Sequence, residues 1–130
     1  MYRWIDHTAE IELAIEAGSE REVLQDAMWA LAELLGVDPA PGSESRWMTA
    51  SADDRAALLA AWLEELVYLA EQEGFVATAI DQLTLDEGAL TAVVTGSLGE
   101  PPPLVKAITY HRLAFRPISR GYVANVVFDV

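Results

Sequence analysis

Cysteine is absent from the 130 residues. That excludes disulfides, thiolate zinc sites, iron–sulfur clusters and cysteine nucleophiles. Basic residues are scarce: lysine and arginine total 8 against 21 aspartates and glutamates, a formal charge of −13, and Lys106 is the only lysine. A protein that reads a nucleic-acid backbone needs a basic surface to neutralise phosphates, so tight direct binding of RNA or DNA is not expected. Long apolar runs are also missing. The longest candidate, Ala56 to Ala70, is broken by Glu64 and Glu65, and falls short of the roughly 18 residues that span a bilayer. Charges stand in Met1 to His7 where a signal peptide would be apolar, so a cytoplasmic protein with no membrane partner is expected. Catalytic signatures are lacking too. Gly96-Ser97-Leu98-Gly99 has no Lys-Ser/Thr after it, no serine sits in a nucleophile elbow, and the two histidines are not at helical metal spacing.

What is present is a core. Hydrophobic residues make up 52% of the chain, which argues against disorder despite the charge. The length suits one domain over residues 1–130. Ile11, Leu13 and Ile15 alternate with Glu12, Ala14 and Glu16, the period of a strand with one wet face. Tyr2 to Ile5 reads as a short strand before it, with Asp6 to Ala9 as the connection. Ser19 and Glu22 have capping-box spacing and open a helix whose apolar residues run from Val23 to Leu35, with Gly36 as its stop. A second helix is expected over about 53–73, with Leu58, Trp62, Leu66 and Leu69 in its apolar stripe and Gly74 as its cap. Arg46 to Ser51 reads as an edge-like strand. Four further strands follow: Phe75 to Asp86, Ala89 to Ser97, Leu104 to Phe115 and Tyr122 to Val130, with turns at Glu87-Gly88 and Ser119-Arg120-Gly121. Such segregated runs predict an α+β fold, two helices packed on a mostly antiparallel or mixed sheet.

Three polar segments stand out. Asp6-His7-Thr8-Ala9-Glu10 could place oxygen and imidazole ligands around a cation, or simply serve a turn through backbone hydrogen bonds from Asp6 and Thr8. Asp129 is a carboxylate in the otherwise apolar Val126–Val130 strand, beside the carboxylate of Val130; the pair suits a divalent metal or a solvated chain end. In Val105 to Leu113 the alternation sets Val105, Ala107, Thr109, His111 and Leu113 on one face and Lys106, Ile108 and Tyr110 on the other. Antiparallel neighbours would bring Glu10, at the start of its strand, and Asp129, at the end of the last strand, to one rim. Lys106 could neutralise part of that cluster.

Taken in order, Trp4-Ile5-Asp6-His7-Thr8-Ala9-Glu10-Ile11, Trp62-Leu63-Glu64-Glu65-Leu66, Val105-Lys106-Ala107-Ile108-Thr109-Tyr110-His111 and Val126-Val127-Phe128-Asp129-Val130 resemble the archease family over nearly the whole chain. The resemblance implies an accessory protein of the RtcB-type RNA ligase of tRNA splicing and RNA repair, promoting ligase guanylylation and turnover, with no catalytic residues of its own. It implies a divalent cation, calcium or magnesium, held by Glu10, Asp129 and Val130. It also assigns partner-activating roles to Asp6, His7 and Lys106. The family usually has aspartate where this chain has Glu10, and the segment Glu100 to Leu104 is shorter and richer in proline than in many members. Two other readings of the residues stay open: a metal-dependent hydrolase using His7 as base with Glu10 and Asp129 as ligands, and an acidic interaction module with no metal role.

Overall fold

The computed structural model describes residues 1–130. In chain order the elements are β1 (Tyr2–His7), β2 (Glu10–Ala17), α1 (Glu20–Leu34), β3 (Glu44–Ser51), α2 (Arg55–Glu73), β4 (Phe75–Leu85), β5 (Ala89–Leu98), β6 (Ala107–Ile118) and β7 (Gly121–Asp129). The strands form two sheets, β1-β2-β7-β6 and β3-β5-β4. Every pairing is antiparallel. The fold is therefore α+β with antiparallel strands, as expected, and the strands divide between two sheets rather than one. Both helices bridge the two sheets: α1 packs on β2 and β4, and α2 on β6, β3 and β4.

Local chemistry sets the boundaries. The Ser19 hydroxyl accepts from the Glu22 N–H at 3.2 Å and so caps α1. Glu22 reaches back to the N–H of Gly18, at 3.2 Å, one residue earlier than a standard capping box. Asp54 caps α2, accepting from the Ala57 N–H at 2.7 Å. Gly74 ends α2 at φ +68, a left-handed conformation that costs glycine nothing. Asp86 accepts from the N–H groups of Gly88 and Ala89 and turns β4 into β5.

The helix-facing side of the four-stranded sheet carries Leu13, Ile15, Val126 and Phe128, all buried. They join the α2 stripe of Leu58, Trp62, Leu66 and Leu69 in one core of 31 buried residues. The Trp62 indole N–H donates to the Leu24 carbonyl at 3.0 Å and ties α2 to α1. By alternation the outer face of this sheet bears His7, Ile5 and Arg3 on β1, Glu10, Glu12, Ala14 and Glu16 on β2, and Asp129, Val127, Asn125 and Val123 on β7.

The expected strand from Leu104 begins later, at Ala107. Pro101, Pro102 and Pro103 have no N–H for a ladder, and the Leu104 N–H is turned back onto the Pro102 carbonyl. The alternation read through Leu113 also fails. Thr109 pairs with Val127 and Ala114 with Asn125, so residues 110–113 bulge out of β6 opposite Val126 alone. Within the bulge Arg112 has φ +57. No helix is long and apolar enough to cross a membrane.

Candidate functional site at one rim of the four-stranded sheet

The start of β2 and the end of β7 meet at one rim. Glu10 stands directly across from Asp129, with His7 on the far side of Glu10 and Ala107 on the far side of Asp129. Cross-strand partners project to the same face, so both carboxylates lie on the outer face. The backbone closes around them: the Lys106 N–H donates to the Asp129 carbonyl at 2.7 Å, and the Val130 N–H to the Ala9 carbonyl at 3.4 Å. Ala9, at φ +62, makes the tight β1–β2 turn. Asp6 lies in β1 opposite Ile11 rather than in the turn, and alternation sends it to the other face from His7.

The Glu10 carboxylate is not free. Arg112 on the β6 bulge donates to Glu10 at 3.2 Å and lies 3.4 Å from Glu12. The expected neutralising role of Lys106 is thus taken by Arg112; Lys106 is exposed and forms no ion pair. His7 Nε2 sits 2.8 Å from Glu12. The bulge is pinned in turn by the Asn125 amide, which donates to the Arg112 carbonyl at 3.1 Å. Glu12 is the most enclosed acid of the group, its side chain 13% exposed. Its carboxyl is held below the usual carboxylate range, first by the hydrogen bond with His7 against the opposing effect of burial, then by Asn125 and the charges of Arg112 and His7. Under the bulge the Thr109 hydroxyl oxygen is buried without a partner.

Glu12, Arg112 and Asn125 were not singled out as site residues from the sequence. Glu12 had a signal, since it shares the wet face of β2 with Glu10. Arg112 had none, because its role depends on a bulge that no glycine or proline between Ala107 and Arg116 announces. For a hard cation the donors at the rim are of the right kind: two carboxylates across from each other and main-chain oxygens beside them. Their number falls short, because no three His, Cys, Asp or Glu side chains converge. A cation here would have to draw Glu10 off Arg112 and complete its shell from Val130 and the main chain.

Residues 2–130, nearly the whole chain, match the Archease protein family (MTH1598/TM1083). The chain belongs to the archease family. The protein archease of Methanosarcina acetivorans is 28% identical over 139 aligned positions, covering 99% of this chain and 95% of that one. The protein archease of Archaeoglobus fulgidus is 30% identical over 141, covering 99% and 98%. The fold is shared with the solution structure of Methanobacterium thermoautotrophicum protein 1598, at a TM-score of 0.80 and 24% identity, covering 99% and 98% of the two chains. It is also shared with the crystal structure of a Thermotoga maritima archease called a possible chaperone, at a TM-score of 0.68 and 22% identity, covering 100% and 98%. Three of the four archease segments, those holding Glu10, Lys106 and Asp129, meet at the rim; Trp62 to Leu66 lies in α2 with Trp62, Leu63 and Leu66 in the core, while His7 turns to Glu12 and Asp6 to the opposite face.

Proposed function

We propose that this chain is an accessory protein that binds and activates an RtcB-type RNA ligase, promoting its guanylylation and turnover without catalysing a reaction itself. The observation that carries the reading is the register that sets Glu10 across from Asp129, in a chain that matches the archease family over residues 2–130. An acidic chain of charge −13 suits docking on the basic surface of an enzyme that handles RNA, and opposite fields speed such encounters. In this reading Glu10, Asp129 and Val130 hold a calcium or magnesium ion, which supplies a fixed positive charge at the rim. Lys106, exposed beside that rim, extends toward the ligase, and Asp6 and His7 flank the contact.

The test pairs the purified chain with the ligase of the same genome and follows incorporation of labelled GMP into the ligase. Asp129→Ala and Glu10→Ala are each expected to abolish stimulation while circular dichroism shows an intact fold. Calorimetry with calcium and with magnesium, on the same proteins, reports the metal separately. Full stimulation by the double alanine variant would sink the rim as the working site. No stimulation by the wild-type chain would sink the ligase reading itself.

A further inference from the structure

With acids outnumbering bases 21 to 8, an arginine need not lack a carboxylate. Arg46, Arg55, Arg112 and Arg120 each have one. Arg3, Arg21 and Arg116 have none. Arg3 and Arg116 flank one groove, and Arg21 lies elsewhere, on α1. Arg3 lies on β1 and Arg116 on β6, the two edge strands of the four-stranded sheet, and register puts both on its outer face: Arg3 pairs with Ala14, and Arg116 with Val123.

Between them the floor is made of Ala14, Asn125, Ala114 and Val123, with the Glu16 carboxylate in the row of Val123. Ala14 and Ala114 both stand across from Asn125, and Val123 lies in the next row. Short residues in the middle and long arginines at the edges leave a groove of about 670 Å³, within the roughly 300–1,000 Å³ of small-molecule sites. Arg120, from the β6–β7 turn, closes one end. Its partner Glu16 is 3.7 Å away with both side chains exposed, a pairing that water screens and a ligand can displace.

We propose that this groove binds a phosphate-bearing small molecule of nucleotide size, with Arg3 and Arg116 gripping phosphate oxygens from opposite walls and Arg120 as a third donor. The planar guanidinium fork matches a phosphate with two parallel hydrogen bonds and is more weakly hydrated than an ammonium. The charge distribution selects a compact ligand over a nucleic acid. A chain of phosphates would extend from the groove over an acidic surface, whereas a small polyphosphate stays within a screening length, about 8–10 Å, of the three arginines. The groove is centred away from the Glu10–Asp129 pair and shares Asn125 with the Arg112 bulge: Ala14 is four residues along β2 from Glu10, about 13 Å at strand rise. The proposal does not rest on the ligase reading.

The experiment is calorimetry of the full chain with inorganic pyrophosphate, ATP, adenosine and a short uridine oligonucleotide, with amide shifts mapped by NMR. Pyrophosphate and ATP should bind, adenosine should not, and shifts should centre on Ala14, Ala114 and Val123. Arg3→Ala with Arg116→Ala should weaken ATP by about tenfold or more, the scale of losing charge-assisted hydrogen bonds. Both side chains are exposed, so the fold should survive. Arg21→Ala, an exposed arginine on α1 whose guanidinium meets only the Ile80 carbonyl, should leave binding unchanged. The proposal is overturned if ATP binds the double variant as well as the wild type, if neither ATP nor pyrophosphate binds, or if adenosine binds as well as ATP. Tighter binding of the oligonucleotide than of ATP would overturn it in favour of a nucleic-acid surface.

Discussion

Replacing Trp62 by alanine removes the largest side chain that is sealed from solvent. The position joins both helices to the sheets, so the substitution tests whether the α2 stripe holds the layers together. Two costs add. A tryptophan or phenylalanine cut to alanine in a core loses about 3–5 kcal/mol, part transfer and part cavity. The indole hydrogen bond to Leu24 is also lost. Leu24 lies inside α1, where its carbonyl keeps a helical N–H partner, so no acceptor is orphaned and this share is about 1 kcal/mol. The expected total, about 4–6 kcal/mol, is a large part of the roughly 5–15 kcal/mol that holds a domain. Trp62→Phe keeps most of the volume and loses only the donor, and is expected to cost about 1–2 kcal/mol. Urea unfolding followed by circular dichroism gives both numbers, with the denaturant slope expected to stay constant. A loss under about 1 kcal/mol for Trp62→Ala would refute the packing argument. Equal losses for the two variants would show that the hydrogen bond, not the volume, carries the weight.

Because the Glu12 carboxyl sits below its ordinary range in the folded chain, its stabilising share is full above the unfolded value of about 4.3 and drains away as pH falls through the lower folded value. Urea midpoints taken down an acid series should therefore drop more steeply for the wild type than for Glu12→Gln; parallel curves would mean that the His7–Glu12–Arg112 cluster contributes nothing. Gly96→Ala should destabilise by about 2 kcal/mol or more, because a Cβ there runs into the backbone of Val76 and Ala77, and an unchanged melting temperature would contradict the close β4–β5 contact. Filter binding at physiological salt should find only weak retention of bare RNA by the chain, given 8 basic residues against 21 acidic ones, whereas its complex with a ligase should loosen as salt is raised.

The sequence makes the punctuation of this fold readable. Ser19, Gly36, Gly74, Glu87-Gly88 and Gly121 mark ends and turns because each has a backbone reason to be there, and the structure uses them so. The meeting of Glu10 and Asp129 was readable for the same kind of reason: alternation fixes faces, and antiparallel pairing fixes rims. Sheet membership was not readable, since β3 could have joined either sheet on pattern alone, and only the way α1 and α2 straddle both decides it. The β6 bulge was invisible because residues 110–113 carry no glycine or proline; its left-handed arginine is held by partners distant in sequence, Asn125, Glu10 and Glu12. The Arg112 cluster at the heart of the rim therefore had to be seen in three dimensions.

The position of β7 between β2 and β6 has a consequence for synthesis on the ribosome. The strand that completes the centre of the sheet is made after every other element, while the β1–β2 hairpin emerges first. From Ala17 to Gly121 is 104 residues, so at roughly 5–20 residues per second β2 waits about 5–20 s for its partner. Throughout that interval β2 offers an unpaired edge, the kind of surface on which nascent chains cross-pair and aggregate. Its outward side chains in those seconds are Glu10, Glu12 and Glu16, and on a hairpin still lacking its neighbour their mutual repulsion guards against a second hairpin docking in the place of β7. The acids that later gather arginines across the finished sheet thus serve first as a fence around an open seam.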